Sequence, residues 1–217
     1  MRHPALAAVV LASCAFAAVP AGAQEREPRI GPFVVDVRGA FPKFPDNLQL
    51  ADSRGLNQVE LPGLGIGLDL GVHVYLFKWR AITFGVGGEG MASRAHFTPA
   101  AAAGQAAFGR PVTERFATIA PQISFNFGTG RGWSYISGGV GNSVWSVVPD
   151  GAASLPADRA RLRTFDYGGG ARWFAKRHLA FTFDVRIWAI NPGIPAPGLP
   201  GSPRTALLVL GAGVSVR

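Results

Sequence analysis

Apolar and polar residues alternate along most of this chain. In the stretch FTFDVRIWAI (181–190), Phe181, Phe183, Val185 and Ile187 are two apart, and Thr182, Asp184, Arg186 and Trp188 fill the gaps. Successive side chains of a strand point to opposite faces. The stretch therefore predicts a strand with one apolar face and one that holds a carboxylate and a guanidinium. Eight segments share this period, roughly 29–41, 63–77, 81–97, 114–127, 132–147, 163–174, 179–190 and 204–217. Helical periodicity is weak, so the expected class is all-β. Each segment is as long as the roughly nine to eleven residues that a tilted strand needs to cross a bilayer.

Sorting by parity separates two kinds of surface. The second segment has an unbroken apolar stripe, Leu64, Ile66, Leu68, Leu70, Val72, Val74 and Leu76, opposite Asp69, His73 and Tyr75. The first sets Phe33, Val35, Val37 and Phe41 against Asp36 and Arg38. The third sets Ile82, Phe84 and Val86 against Glu89, and the sixth sets Phe165, Tyr167 and Trp173 against Asp166 and Arg172. The fourth puts Gln122, Ser124 and Asn126 on its polar face. The fifth is the weakest, with Ile136, Val140 and Val144 on one face and small residues expected on the other. The polar-face ionisable residues are Asp36, Arg38, Asp69, His73, Glu89, Asp166, Arg172, Asp184 and Arg186. Turned toward lipid, a midplane Arg would cost roughly 2–4 kcal/mol. Turned inward they can pair, which predicts a charge network in a closed lumen.

The connections alternate in length. Long ones follow the first, third, fifth and seventh segments, whereas the other three are as short as Lys78-Trp79-Arg80, GTGRG and AKRH. Compact soluble domains use short connections throughout; outer-membrane barrels have short periplasmic turns and long outer loops. Eight strands also return both ends of the barrel to the periplasmic side. The short turns are basic, through Lys78, Arg80, Arg131, Lys176, Arg177 and His178. Nearby aromatics, Phe77, Trp79, Phe127, Trp133, Trp173 and Phe174, are expected to form an interfacial girdle.

Composition agrees with a membrane strand protein. Only 16% of residues are charged against 48% hydrophobic, too few charges for an ordinary solvated surface. No internal apolar run reaches the length of a spanning helix. The start of the chain predicts a signal peptide over 1–23: Arg2 and His3, an apolar run from Ala5 to Ala18, and Ala21-Gly22-Ala23 as the cleavage site. Leu11-Ala12-Ser13-Cys14 is a rival lipobox; cleavage after Ala23 leaves residues 24–217 as one barrel domain without cysteine. The net charge of +8 does not predict nucleic-acid binding, because the basic residues are scattered along an exported chain.

With GGVGNSVW (138–145) and FDVRIW (183–188) added to these features, the chain resembles small bacterial outer-membrane β-barrel proteins such as the OmpA transmembrane domain and OmpX. The resemblance implies an eight-stranded antiparallel up-and-down transmembrane β-barrel in the outer membrane. It implies outer-membrane lipid and the insertion machinery as partners, and a monomer. Such chains often end in Phe; this one ends VLGAGVSVR, with Arg217 in that place.

Other chemistries are weakly supported. GVGGEG (85–90) matches a dinucleotide fingerprint, but MASRAHFTP follows it where a helix should begin. His73, His96 and His178 fall on different segments, so no metal or cofactor is expected. A lipid A deacylase needs a hydroxyl, a His and an acid in reach of one another. Ser93 and His96 are near in sequence, but Phe97-Thr98 follows His96 where a His-x-Ser motif would place serine. A water-filled pore needs about twice as many strands, and a soluble lipocalin needs the opposite sidedness. The expected function is therefore a structural or surface-interaction barrel with no catalytic site. A lipid A-modifying enzyme, a narrow channel and a lipocalin-like binding barrel stand as alternatives.

Overall fold

A computed structural model describes residues 28–100, 109–195 and 197–217. The expected signal peptide, Cys14 and the Ala23 cleavage site lie outside the described residues. Eight strands form one closed antiparallel barrel in sequence order, with the last paired to the first. They are β1 (Phe33–Lys43), β2 (Ile66–Trp79), β3 (Ile82–Phe97), β4 (Val112–Thr129), β5 (Gly132–Pro149), β6 (Leu162–Phe174), β7 (Leu179–Ile190) and β8 (Thr205–Val216). Each coincides with an alternating segment to within a few residues. GVGGEG lies inside β3 as plain strand.

Closure runs through Val35 opposite Val216 and Lys43 opposite Leu208, so no edge is left to pair with another chain. The β4–β5 ladder skips Ala120 and Pro121, because proline has no N–H to donate. At Gly170 a side chain would collide with the Phe183 carbonyl and the Tyr135 hydroxyl; glycine there lets the tyrosine lie across the lumen.

The outer face is apolar. Leu64, Ile66, Ile119, Phe181 and Trp173 are more than half exposed, a sidedness that suits lipid and does not suit a soluble lipocalin. The interior has three tiers. At the short-turn end, Ile30, Val34, Tyr75 and Trp133 form an apolar plug with Phe174 packed against it. The middle tier holds the charged residues. The long-loop end is a larger apolar core that includes Phe116, Trp145, Trp188 and Leu207 from the strands.

The first long connection closes that upper core. Its helix α1 (Leu48–Asp52) starts at Asn47, whose side chain accepts the Leu50 amide, an ordinary N-cap. Leu50 and Ala51 on α1, with Phe44, Leu56 and Leu61 around it, complete the core. The connection was expected only as a long outer loop; its apolar positions also act as a stopper, because an open barrel mouth would leave Trp145 and Trp188 wet. Three 3₁₀ residues, Gln58–Glu60, follow, and another 3₁₀ turn, Pro156–Arg159, lies in the third long connection.

Candidate functional site

Parity along the strands carries Asp36, Arg38, Asp69, His73, Glu89, Asp166, Arg172, Asp184 and Arg186 inward, and all of them are buried. Three guanidiniums organise them. The Arg172 Nε and Nη2 donate to the two oxygens of Asp36 at 2.9 and 2.5 Å, a bidentate fork. Arg38 contacts Asp69 at 3.0 Å and Glu89 at 3.2 Å, and donates to the Tyr135 hydroxyl at 2.9 Å. Arg186 bridges Glu89 at 2.9 Å and Asp166 at 2.8 Å. It also reaches Asp184 at 3.2 Å on its own strand.

Neutral donors add further hydrogen bonds to four of the carboxylates. Tyr135 donates to Asp184 at 2.7 Å and Ser215 donates to Asp36 at 2.5 Å. Gln122 donates to Glu89 at 3.1 Å and to Asp166 at 2.5 Å, and its carbonyl lies 3.2 Å from His73 Nε2. Every strand supplies at least one member of this web. Burial of so many charges is tolerable because each carboxylate lies against a guanidinium.

Three of its features escaped the sequence reading. Tyr135 and Trp133 share the odd parity of β5 and point inward, whereas that face was expected to hold small residues and Trp133 to join the girdle. Trp133 is 3% exposed, stacks on Phe174 with ring centres 5.0 Å apart, and lies under the Arg172 guanidinium at 5.9 Å. Phe174 is therefore also part of the plug. Phe77, Trp79, Phe127 and Trp173 do lie on the outer face. Glu114 is the third: it accepts the Trp145 indole N–H at 2.6 Å inside the upper core. It shares the even parity of Gln122, Ser124 and Asn126 and was the first residue of the expected segment, so its inward direction was readable from the sequence.

The loop end is tied by two further buried carboxylates. Asp158 accepts from Arg54 Nε at 2.9 Å and from the Val147 amide at 3.0 Å, which locks the first long connection to the third. Glu60 accepts the Asn57 amide at 2.6 Å and the Arg110 amide at 2.5 Å, which locks it to the second. Burial pushes the Glu60 carboxyl up, but these amides and the Arg110 guanidinium hold it below the usual glutamate value.

Ser93 and His96 do not converge; the carboxylate beside His96 is Asp150, 4.0 Å from its Nδ1. Ser93 faces inward and donates to the Phe116 carbonyl at 3.4 Å, while His96 lies on the outer face. His96 Nδ1 is 3.0 Å from Thr113 Oγ1 and its Nε2 is 3.3 Å from Thr98 Oγ1. At the opposite end, Arg217 takes the place expected of an aromatic. Its guanidinium lies 3.9 Å over the Phe174 ring and its Nε donates to the Arg177 carbonyl at 2.8 Å.

No protein-family model matches the chain, and no curated protein matches it in sequence. Solved structures do match in shape. Neisserial surface protein A superposes with a TM-score of 0.53 at 13% identity, over 86% of this chain and 97% of that one. Ail, the attachment invasion locus protein of Yersinia pestis, solved in complex with the heparin analogue sucrose octasulfate, gives 0.50 at 11% identity over 84% and 97%. The fold is that of a small outer-membrane β-barrel. In such a barrel the apolar outer band is the lipid-facing surface, and the charged tier lies within the membrane-spanning section.

Proposed function

We propose that this chain is a monomeric outer-membrane anchor, inserted by the outer-membrane assembly machinery, that presents its long-loop end at the cell surface for interaction. The observation that carries this reading is the sealed interior: a paired charge tier between two apolar plugs. Side chains fill the section that a channel would need open, and buried carboxylates tie the first long connection to the second and the third. Barrels of this shape include Ail, an attachment invasion locus protein whose solved complex holds a heparin analogue, so a surface-binding role is in keeping with the architecture.

The test is made on cells that express the full chain. The outer-membrane fraction should contain a band that migrates differently before and after boiling, and protease added outside should cut within the long connections only. Recovery of the chain in the soluble periplasmic fraction, without a mobility shift, would overturn the proposal.

A further inference from the structure

The outer wall near the long loops carries a group of cations that the sealed interior does not use. Arg94 on β3 and Arg115 on β4 are direct cross-strand partners, and both are exposed on the outer face. Like charges directly opposite each other weaken a ladder, and an anion bound between them would relieve that repulsion. Arg161 and Arg163, at the start of β6, are exposed on the same side of the barrel. Among the described residues none of the four forms an ion pair. Asp150, on the loopward side of the pair, is engaged by Thr113 Oγ1 at 3.3 Å and His96 Nδ1 at 4.0 Å.

Their height is informative. Counting from the aromatic rim, Phe127 back to Ala117 on β4 uses up the roughly nine to eleven residues that cross the apolar band, and Arg115 is the next outward residue. The same count from Ile82 ends at Ala92, just short of Arg94, and from Trp173 it ends at Arg163, one outward step short of Arg161. All three strands thus place arginine at headgroup level, where lipids carry their phosphates.

Below this level the wall is grooved along the β4–β5 seam. A furrow of about 420 Å³ is lined by Ala117, Ile119, Asn142 and Val144, with Arg161 on its rim. A second, of about 770 Å³, continues past Pro121, Ile123, Gly138 and Val140. Gly138, on the outer face of β5, widens the second furrow, while isoleucine and valine form the banks of both. We propose that this seam is a binding site for one phosphorylated membrane lipid, its phosphate held by Arg94, Arg115 and Arg161 and an acyl chain laid in the furrow. Guanidiniums bind phosphate through paired N–H donors, and the charge complementarity selects an anionic headgroup over a zwitterionic one. This site rests on the reading of the chain as a membrane barrel.

The test uses the full chain folded in neutral detergent, offered dioleoyl phosphatidic acid or dioleoyl phosphatidylcholine and examined by native mass spectrometry. The wild type should keep phosphatidic acid and lose phosphatidylcholine. The double variant Arg94→Ala/Arg115→Ala should lose the phosphatidic acid, whereas Arg80→Ala/Arg177→Ala, at the short-turn end, should keep it. Val144→Trp, which fills the furrow and spares the arginines, should also reduce retention. Equal retention of the two lipids, or full retention by the first double variant, overturns the proposal. So does displacement of the lipid by sucrose octasulfate at equal concentration, which would assign the arginines to a soluble sulfated polysaccharide. A boiled-versus-unboiled mobility shift is checked for every protein; its absence in the wild type would instead overturn the membrane-barrel reading itself.

Discussion

Asp36 and Arg172 illustrate how a buried pair behaves when half of it is removed. Asp36→Ala leaves a guanidinium inside the barrel without its fork, which should cost about 3–5 kcal/mol of stability. The double variant Asp36→Leu/Arg172→Leu should cost clearly less, because it removes the unpaired charge along with the pair. Urea midpoints of the barrel refolded in lipid vesicles measure both; equal losses would show that the two groups are independently solvated. Asp184→Ala should likewise destabilise, since Arg186 and Tyr135 both lean on that carboxylate. A second test concerns the tryptophans. In single-tryptophan variants, Trp79 and Trp173 should be quenched by brominated acyl chains and Trp133, Trp145 and Trp188 should not. Strong quenching of Trp133 would place it in the girdle after all. Its inward direction was legible from its parity with Tyr135, against Ile136 and Val140. Nearness to a short turn suggested the opposite, and parity is the stronger constraint, because the pleat is fixed by backbone geometry.

At the scale of elements, the strands could be read from the sequence and the stopper could not. Alternation along β1 to β8 is repeated often enough to fix strand positions within a few residues. The first long connection gives no such repeat: Phe44, Leu50, Leu56 and Leu61 are five or six residues apart, too sparse to mark a strand or helix face, and their role depends on an apolar barrel mouth that only assembly creates. Its attachment should be sensitive to pH through Glu60. The folded-state value of this carboxyl is depressed, so its contribution is fully present above the ordinary glutamate value of about 4.3. It is lost as pH falls through the lower folded value. Limited proteolysis across 48–61 should therefore accelerate in acid, and Glu60→Gln should show the faster cutting already at neutral pH. Cutting of the wild type that stays constant through that range would remove Glu60 as the tie.

Over the whole molecule, the two plugs and the charge tier act in series. Removing residues 48–61 should expose the upper core to water without opening a pore, because the paired arginines and the Trp133 plug still close the section beneath. Planar-bilayer recordings should then show no steady conductance for either protein, and a stable open level in the truncated one would contradict the layered interior. The distribution of cations belongs to this scale too. Arg94, Arg115, Arg161 and Arg163 look scattered along the chain, and their grouping on one wall follows from the register between neighbouring strands. That register, which the sequence carries only through loop lengths, was the part of the site least open to reading in advance.

The web of side chains contributed by all eight strands also bears on how such a barrel can change over generations. A duplicated hairpin would widen the ring and pull Asp36 away from Arg172, and Arg38 away from Tyr135, in one step. Growth of the barrel by strand addition is thereby penalised, whereas insertions at the outer connections leave the web untouched. Variation in this lineage should accordingly accumulate in those connections and leave the strand number at eight.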